Sequence, residues 1–367
     1  MTFDWESDQS LILFNPRLPI EERQKVQSMI DSFESIIGHF WISTSGSSGI
    51  AKWAALSKKA FLVSAKAVNE HLQSTSKDVW LNPLPHFHVG GLSILARGFL
   101  SGASVINYPG KWEVLQYHEM LCNSRATLSA LVPAQIYDIV ASQLTAPRSL
   151  RGLIVGGGSL SEVLYSKAIA LGWPLLPSYG LTECCSQVAT ATLESRFPLL
   201  RVLPHMSVLI NQKGLICIKG ESLLTGIAYQ GREGLEFMNP VKEGWLETED
   251  CGELVGEYLR VFGRNANFLK IGGESVDLLR LESLLEESKL ALNSVLDMVL
   301  VPVPHERLGH VIHLATTCSQ EDVRDVIAHF ETRVMPYERV RSVHVLSSIP
   351  RSPLGKILRS ELLEKCL

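Results

Sequence analysis

The chain has 367 residues, 46% of them hydrophobic and 20% charged, which allows a sizeable buried core and more than one domain. With 34 Lys+Arg against 38 Asp+Glu the formal net charge is -4, so there is neither the basic excess of a nucleic-acid-binding surface nor an acidic solvating tail. The start carries Asp4, Glu6 and Asp8 rather than a basic stretch before an apolar run, and about 18 uninterrupted apolar residues occur nowhere, so the expectation is a cytoplasmic chain with no leader and no membrane span.

The first forty residues read as a short extended piece followed by a helix over 20–36. Strand-like runs then come at Val79–Leu84, Ala103–Asn107, Ala126–Val132, Gly152–Val155 and Leu175–Ser178. Helical patterns lie between them, at Lys58–Leu72, Ala134–Gln143 and Leu160–Leu171. Short strands alternating with helices predict an α/β fold with a wound, parallel sheet. After about Leu199 the pattern becomes antiparallel, with Val202–Ile210 and Leu215–Lys219 joined by a turn at Asn211–Gly214, then Tyr258–Phe262; this reads as a β-rich layer. From Gly263 onward a compact α+β pattern follows: helix Leu278–Ser288, strand Val295–Val303, helix Ser319–Arg333, strand Val340–Leu346, a loop and a last helix. A domain boundary is therefore expected near Phe262–Asn267, between residues 1–262 and a smaller unit 263–367. Seven cysteines and no C-x-x-C pair suit free thiols in a reducing compartment, and adjacent Cys184 and Cys185 read as small apolar packing ahead of metal ligation.

The sharpest local signal is Ser43-Thr44-Ser45-Gly46-Ser47-Ser48-Gly49-Ile50-Ala51-Lys52. Small residues let backbone N–H groups approach an anion, hydroxyls add donors and the lysine adds charge, so the segment is suited to cradle phosphate. A strand (His39–Ile42) is expected before it and a helix after it. It is not a G-x-x-x-x-G-K-[ST] loop, which would need glycine at Ala51 and Ser or Thr at Trp53.

Thr44–Lys52 (TSGSSGIAK) resembles the phosphate loop of the adenylate-forming superfamily of acyl-CoA synthetases, luciferases and nonribosomal adenylation domains. Pro85–Gly91 (PHFHVGG), Gly156–Gly158, Ser178–Glu183 (SYGLTE), Gly244–Gly252 (GWLETEDCG), Gly263–Gly273 (GRNANFLKIGG) and Pro350–Arg359 (PRSPLGKILR) match further segments in the same order, from His39 to the end of the chain. Within that superfamily the chain is most similar to the o-succinylbenzoate–CoA ligases of menaquinone synthesis, sharing Leu131-Val132-Pro133-Ala134-Gln135, although it is shorter than most members ahead of the phosphate loop.

The resemblance implies a large N-terminal wound α/β domain with a β-rich layer, a small mobile C-terminal domain, and an enzyme using ATP, Mg²⁺ and coenzyme A with a small carboxylic acid. It implies that Thr44, Ser45, Gly46, Ser47, Ser48, Gly49 and Lys52 hold the β- and γ-phosphates. Gly156, Gly157, Gly158, Ser178, Tyr179 and Gly180 would line the adenine pocket, with Tyr179 stacked on the ring. Thr182 would donate to the α-phosphate, Glu183 would bind Mg²⁺, Asp250 would take the ribose hydroxyls and Arg264 would face the nucleotide. Lys356 would enter the site and neutralise the attacking carboxylate and α-phosphate during adenylation. Lys270, Gly272 and Gly273 would line a pantetheine tunnel after the cap rotates. The expected hinge position holds Ala266 instead of the usual Asp or Lys, so the polar latch is missing there.

For the acyl pocket the resemblance points to His88, Gly90, Gly91 and Arg97, with Arg97 on the second carboxylate of the substrate. The residues themselves leave Arg97 open between that role and a surface helix position, and His88 open between pocket wall and core. Gln187 is expected one helical turn after Glu183. Other aryl- or fatty-acid–CoA ligases, an amino-acid adenylating enzyme and a non-catalytic nucleotide-binding protein are the competing readings; no aspartate for a substrate amine is apparent. An oligomer is compatible with all of them.

Overall fold

The computed structural model describes residues 3–44, 52–192, 194, 197–231, 234–264, 268–271, 274–352 and 355–367. The chain opens with strand β1 (Leu11–Ile12) and helix α1 (Ile20–Asp31), which ends at Asp31 rather than at the expected residue 36. Strands β2 (His39–Thr44) and β3 (Lys52–Ser57) form an antiparallel hairpin in which Thr44 faces Lys52. Helix α2 (Lys58–Leu72) begins only after β3, with the Ser57 side chain accepting from the Ala60 N–H. The two described ends of the phosphate-loop candidate, Thr44 and Lys52, thus face each other across paired strands, and a strand rather than the expected helix follows it. The run Trp53-Ala54-Ala55-Leu56 is almost wholly buried and extends the sheet before the helix can start.

Next come β4 (Val79–Asn82), α3 (Val89–Ser101), β5 (Ser104–Asn107), α4 (Val114–Ser124), β6 (Leu128–Leu131), α5 (Pro133–Ala141), β7 (Gly152–Val155), α6 (Glu162–Ala170) and β8 (Leu175–Leu181). Parallel pairing in the spatial order β5, β4, β6, β7, β8 builds the expected wound layer. Both faces are covered, as the alternation along each strand requires. Leu81, Leu153 and Val155 pack against α4, α5 and α6, whereas Trp80, Ile154 and Leu176 pack against α2 and α3. Beyond β8 a 3₁₀ turn (Thr182–Cys184) leads into β9 (Ser186–Thr190), antiparallel to β8.

The remaining strands of this region are β10 (Leu200–Val202), β11 (Met206–Ile210), β12 (Leu215–Gly220), β13 (Gly226–Gln230), β14 (Leu235–Met238), β15 (Leu246–Val255) and β16 (Tyr258–Arg264). The expected β-rich layer is present but not separate: β9 and β10 couple β16, β15, β12 and β11 onto β8, giving one eleven-stranded sheet. The expected single strand 202–210 is interrupted at 203–205, so it contributes two strands. A second sheet orders β1, β2, β3, β13 and β14.

The last part of the chain holds β17 (Phe268–Ile271), β18 (Glu274–Asp277), α7 (Leu278–Ala291), β19 (Met298–His305), β20 (Gly309–Thr316), α8 (Gln320–Glu331), β21 (Val340–Val345) and α9 (Arg359–Glu364). Its sheet runs β18, β17, β20, β19, with β21 parallel to β20. Leu300, Ile312 and Leu314 face α7 and α8 through Leu281, Leu285 and Phe330, and Val299, Val301 and Val303 face Ile349 and Leu362 on the opposite side. The segment ahead of β1 is tied to the main body by Lys58, whose ammonium donates to Asp4 O at 2.7 Å, Ser7 O at 3.0 Å and Ser7 Oγ at 2.7 Å. No helix among the described residues is long and apolar enough to cross a membrane.

Candidate active site

In a wound parallel sheet the carboxyl ends of the strands open onto a crevice, because the connections to the flanking helices diverge there. Here those ends deliver Asn82, Asn107, Val132, Gly156 and Thr182 to one rim. A cleft of about 1350 Å³ lies along part of it, lined by the 83–87 loop and Val132–Gln135 on one side and by α7, Arg351, Ser352 and Gly355 on the other. Its lining does not include Tyr179 or Asp250, which form a second feature of the rim.

Strand β8 reaches Leu181, three residues past the expected end, so Ser178, Tyr179 and Gly180 are strand residues. Tyr179 is buried, and its hydroxyl donates to Asp250 Oδ2 at 2.8 Å. Burial and the neighbouring carboxylate push the phenol far above its ordinary pKa, so it stays protonated and a donor. Asp250 sits on β15 directly opposite Arg264 of β16, as the expected proximity of the two requires. The Asp250 N–H donates to Thr248 Oγ1 at 3.1 Å, while Thr248 donates to Ile216 O at 2.8 Å. A carboxylate oxygen has two lone pairs, so Oδ2 can take a further donor while bound to Tyr179. Gly180 is needed for the tight β8–β9 turn: a Cβ there would lie 1.6 Å from Ser186 O. Thr182 and Glu183 occupy the 3₁₀ turn immediately beyond, half-buried, with Glu183 O accepting from Leu224 N–H at 2.8 Å.

Gln187 is not one helical turn after Glu183; it lies on strand β9, because the 3₁₀ turn ends at Cys184 and the chain reverses. The reversal aims Gln187 into a buried polar network. Its amide donates to Ser178 Oγ at 3.0 Å and to Thr190 Oγ1, and its carbonyl accepts from Arg97. Arg97 is only 2% exposed, which rules out the surface-helix alternative. Its guanidinium also donates to Ser93 Oγ at 3.0 Å, one turn earlier on α3, and lies 5.4 Å from the Trp80 ring. The Nε is buried without a partner, and among the described residues no carboxylate lies within ion-pair distance of this cation. Burial pushes its pKa down to about 9, so it remains charged at neutral pH.

His88 flanks the first turn of α3, which contains Gly90 and Gly91. Its Nε2 is buried without a hydrogen-bond partner, and burial lowers its pKa to about 4, so the ring is neutral. Asn82 Nδ2 donates to Gly91 O at 3.0 Å and ties the end of β4 to the start of α3. Gly156, Gly157 and Gly158 follow β7, with Gly157 at φ +79. Lys52 opens β3, with Nζ 5.9 Å from the centre of the Tyr229 ring. Lys356 is exposed, on a loop closed by the Arg351–Ile357 bridge, with its N–H donating to Ser352 Oγ at 3.2 Å. Lys270 lies on β17. Ser45, Gly46, Ser47, Ser48, Gly49, Ala266, Gly272 and Gly273 lie outside the described residues.

Cys184 and Cys185 are fully buried, and burial pushes both thiols up, Cys184 to about 12 and Cys185 well above its usual value, as for small packed side chains. Ser93, Thr248 and Trp80 were not foreseen as part of this site. Ser93 was within reach of the sequence, since it precedes Arg97 by four residues on a helical pattern; Trp80 meets Arg97 only through the packing of α3 on the sheet, and Thr248, two residues before Asp250, meets Ile216 only through the pairing of β15 with β12.

A profile of the AMP-binding enzyme family matches residues 39–227. The chain is 28% identical over 330 residues to a 2-succinylbenzoate–CoA ligase of Staphylococcus epidermidis, covering 87% of this chain and 68% of that one. The o-succinylbenzoate–CoA synthetase of Bacillus subtilis, solved with its acyl-adenylate intermediate, aligns with a TM-score of 0.74 at 25% identity over 88% of this chain and 68% of that one. The same enzyme solved with ATP and a magnesium ion aligns at 0.72 and 25% identity, over 88% and 69%.

Proposed function

The chain belongs to the AMP-binding enzyme family, and on that premise we propose that it is an ATP-dependent acid–CoA ligase acting on 2-succinylbenzoate. A carboxylate is a poor electrophile at neutral pH, and joining it to AMP supplies a leaving group. In the first step a carboxylate oxygen attacks the α-phosphorus of ATP and pyrophosphate departs. In the second the CoA thiol attacks the acyl carbon and AMP departs. Both steps depend on positioning and on neutralising charge.

Asp250, held by Tyr179 and Thr248, would accept the ribose hydroxyls, and Gly156–Gly158 would let the adenine approach the backbone after β7. Thr182 would donate to the α-phosphate. Thr44 and Lys52, which face each other across β2 and β3, would hold the β- and γ-phosphates together with residues 45–49. Glu183 offers one carboxylate in a half-buried turn. Among the described residues no group of three His, Cys, Asp or Glu side chains could enclose a metal alone, which suits Mg²⁺, a cation that takes its other oxygens from phosphates and water. When bound it would neutralise phosphate charge. Lys356 would supply positive charge to the attacking carboxylate from the smaller unit 263–367, and Lys270, Gly272 and Gly273 would form the pantetheine passage once that unit has turned relative to residues 1–262. The substrates are free small molecules, and the compartment we assign is the cytoplasm.

The observation that carries the choice of acid is Arg97. A buried guanidinium with no carboxylate beside it is costly unless a ligand supplies the anion. A dicarboxylic acid whose second carboxylate meets Arg97 leaves the first for adenylation, and neutral His88, at the start of the same helix, carries an unpartnered ring nitrogen. The test is to mix the purified chain with Mg-ATP, CoA and a panel of mono- and dicarboxylic aryl acids, measuring pyrophosphate release and thioester mass. Release with 2-succinylbenzoate above all others is expected; the absence of any AMP ester from any acid would refute the reading.

A further inference from the structure

Among the described residues, both hydrogen bonds made by the Arg97 guanidinium start from NH2: one goes to Ser93 Oγ at 3.0 Å and one to Gln187 Oε1. The two protons of that nitrogen are thereby used, and buried Nε has no protein partner. The two acceptors differ in what they are attached to. Ser93 lies one turn before Arg97 on α3 and moves with it, whereas Gln187 belongs to β9 and ties the guanidinium to the sheet. The further link between α3 and β9, from Ser93 Oγ to Ser186 Oγ, is longer at 3.4 Å. A guanidinium can only donate, so the Gln187 amide must turn its oxygen to Arg97 and its nitrogen to Ser178 Oγ and Thr190 Oγ1. Ser178 and Thr190 are paired across β8 and β9 with their hydroxyls 3.1 Å apart, and Ser178 donates to Ala189 O at 3.3 Å. Donation therefore runs one way, from Arg97 through Gln187 to the β8–β9 pair. Gln187 is 3% exposed and Thr190 fully buried, so water does not compete for these bonds.

The hairpin that anchors Gln187 also carries Thr182, in its turn. Its internal spacing is fixed: the Cys185 N–H donates to Thr182 O at 3.2 Å, Gln187 pairs with Gly180, and a Cβ on Gly180 would lie 1.6 Å from Ser186 O. Under the ligase reading Thr182 meets the α-phosphate, where the first carboxylate attacks, and Arg97 meets the second carboxylate. Both ends of the acid are then placed by one hairpin, directly at Thr182 and through Gln187 at Arg97. An arginine free to swing about its own side chain would take a second carboxylate at several distances from the α-phosphate. One pinned to β9 takes it at a single distance, because a group whose rotamer is locked by its neighbours holds its ligand in one place.

We propose that Gln187 is a positioning residue that fixes the reach between the α-phosphate site and Arg97, and so selects the length of the dicarboxylic acid; the inference rests on the ligase reading and deepens its specificity. The test compares wild type, Gln187→Met, Thr190→Val, Arg97→Met and the Arg97→Met/Gln187→Met double variant. The acids are 2-succinylbenzoate and its homologues with one methylene fewer or one more between the two carboxylates, followed by pyrophosphate release and thioester mass. In wild type, kcat/KM for 2-succinylbenzoate is expected to exceed that for either homologue by about tenfold or more. Gln187→Met should raise KM for 2-succinylbenzoate by about tenfold and bring the three acids within about threefold of one another. Thr190→Val removes one anchor of the amide and should move both quantities the same way by less. The double variant should match Arg97→Met alone, because Gln187 acts through the arginine. Ser178 and Thr190 keep each other as partners when the amide is gone, so Gln187→Met should fold. A wild type indifferent to length, a Gln187→Met chain that keeps the length preference, or a double variant in which the two effects multiply would overturn the inference alone. Failure of wild type to form an AMP ester from any of the three acids would overturn the ligase reading and this inference with it.

Discussion

Asp78 collects four donors within 2.9 Å: Arg151 Nε and Thr127 Oγ1 on one oxygen, Arg151 NH2 and the Thr75 N–H on the other. Burial by itself would raise its pKa, but these donors outweigh it and lower the value from 3.8 to about 2. A carboxyl depressed in the folded state contributes stability that is fully present above 3.8 and lost as pH falls through about 2. Asp78→Asn should therefore cost about 1–3 kcal/mol at pH 7, and its difference in melting temperature from wild type should shrink between pH 4 and 2. A difference that stays constant over that window would show that the charge contributes nothing. At Arg97 the balance runs the other way, since the buried cation is a cost to folding. Arg97→Met should change stability little, because relief of that cost offsets the orphaned Gln187 carbonyl. The same change should raise KM for the dicarboxylic acid by about tenfold or more and leave a monocarboxylic aryl acid unaffected. Equal KM changes for the two acids would remove Arg97 from the site.

At the level of elements, the glycines separate those the fold needs from those a ligand needs. A Cβ on Gly180 would collide with Ser186 O, so Gly180→Ala must open the β8–β9 turn, displacing Tyr179 and Gln187 together; a loss of about 1–3 kcal/mol or more is expected in chemical denaturation. A Cβ on Gly158 would meet only the Pro133 ring, at 3.5 and 3.6 Å, an ordinary contact. Gly158→Ala should leave stability within about 0.5 kcal/mol, yet raise KM for ATP if adenine lies against this turn. A Gly158→Ala chain with unchanged KM for ATP would move the base elsewhere. Helix α5 shows the same division: the Val132 N–H donates to the Gln135 side chain at 3.0 Å and Pro133 fills the first turn, so the Leu131–Gln135 run that resembles the ligases is also a helix start.

Over the whole molecule, the end of α7 and the segment after it meet α5: the Tyr137 hydroxyl donates to Ser294 O at 2.7 Å, and Lys289 Nζ lies 4.9 Å from the centre of the Tyr137 ring. Arg351, at the root of the Lys356 loop, pairs with Asp297 at 2.6 Å. That pair ties the root of the loop that carries Lys356 to the start of β19. Lys356→Ala should depress acyl-adenylate formation by about 100-fold or more, while thioester formation from supplied acyl-adenylate stays near wild type. Equal loss in both half-reactions would mean that Lys356 does not act at the adenylation step alone.

The order of the signature segments, the wound α/β pattern and helix α2 to its exact ends were legible in the sequence, because strand alternation, helical period and caps are properties of neighbouring residues. The candidate site residues came from the resemblance, which assigns each its expected chemistry. Tertiary structure alone decided the rest. Tyr179 and Asp250 are 71 residues apart and Arg97 and Gln187 are 90 apart, and each pair meets only through strand pairing and helix packing. The same long-range pairing fused the antiparallel strands to the wound sheet, put strand β3 after the phosphate-loop candidate and set Gln187 on β9. Burial made Arg97 a desolvated cation, and no local pattern encodes burial, since the face a helix hides depends on what the remainder of the chain brings against it.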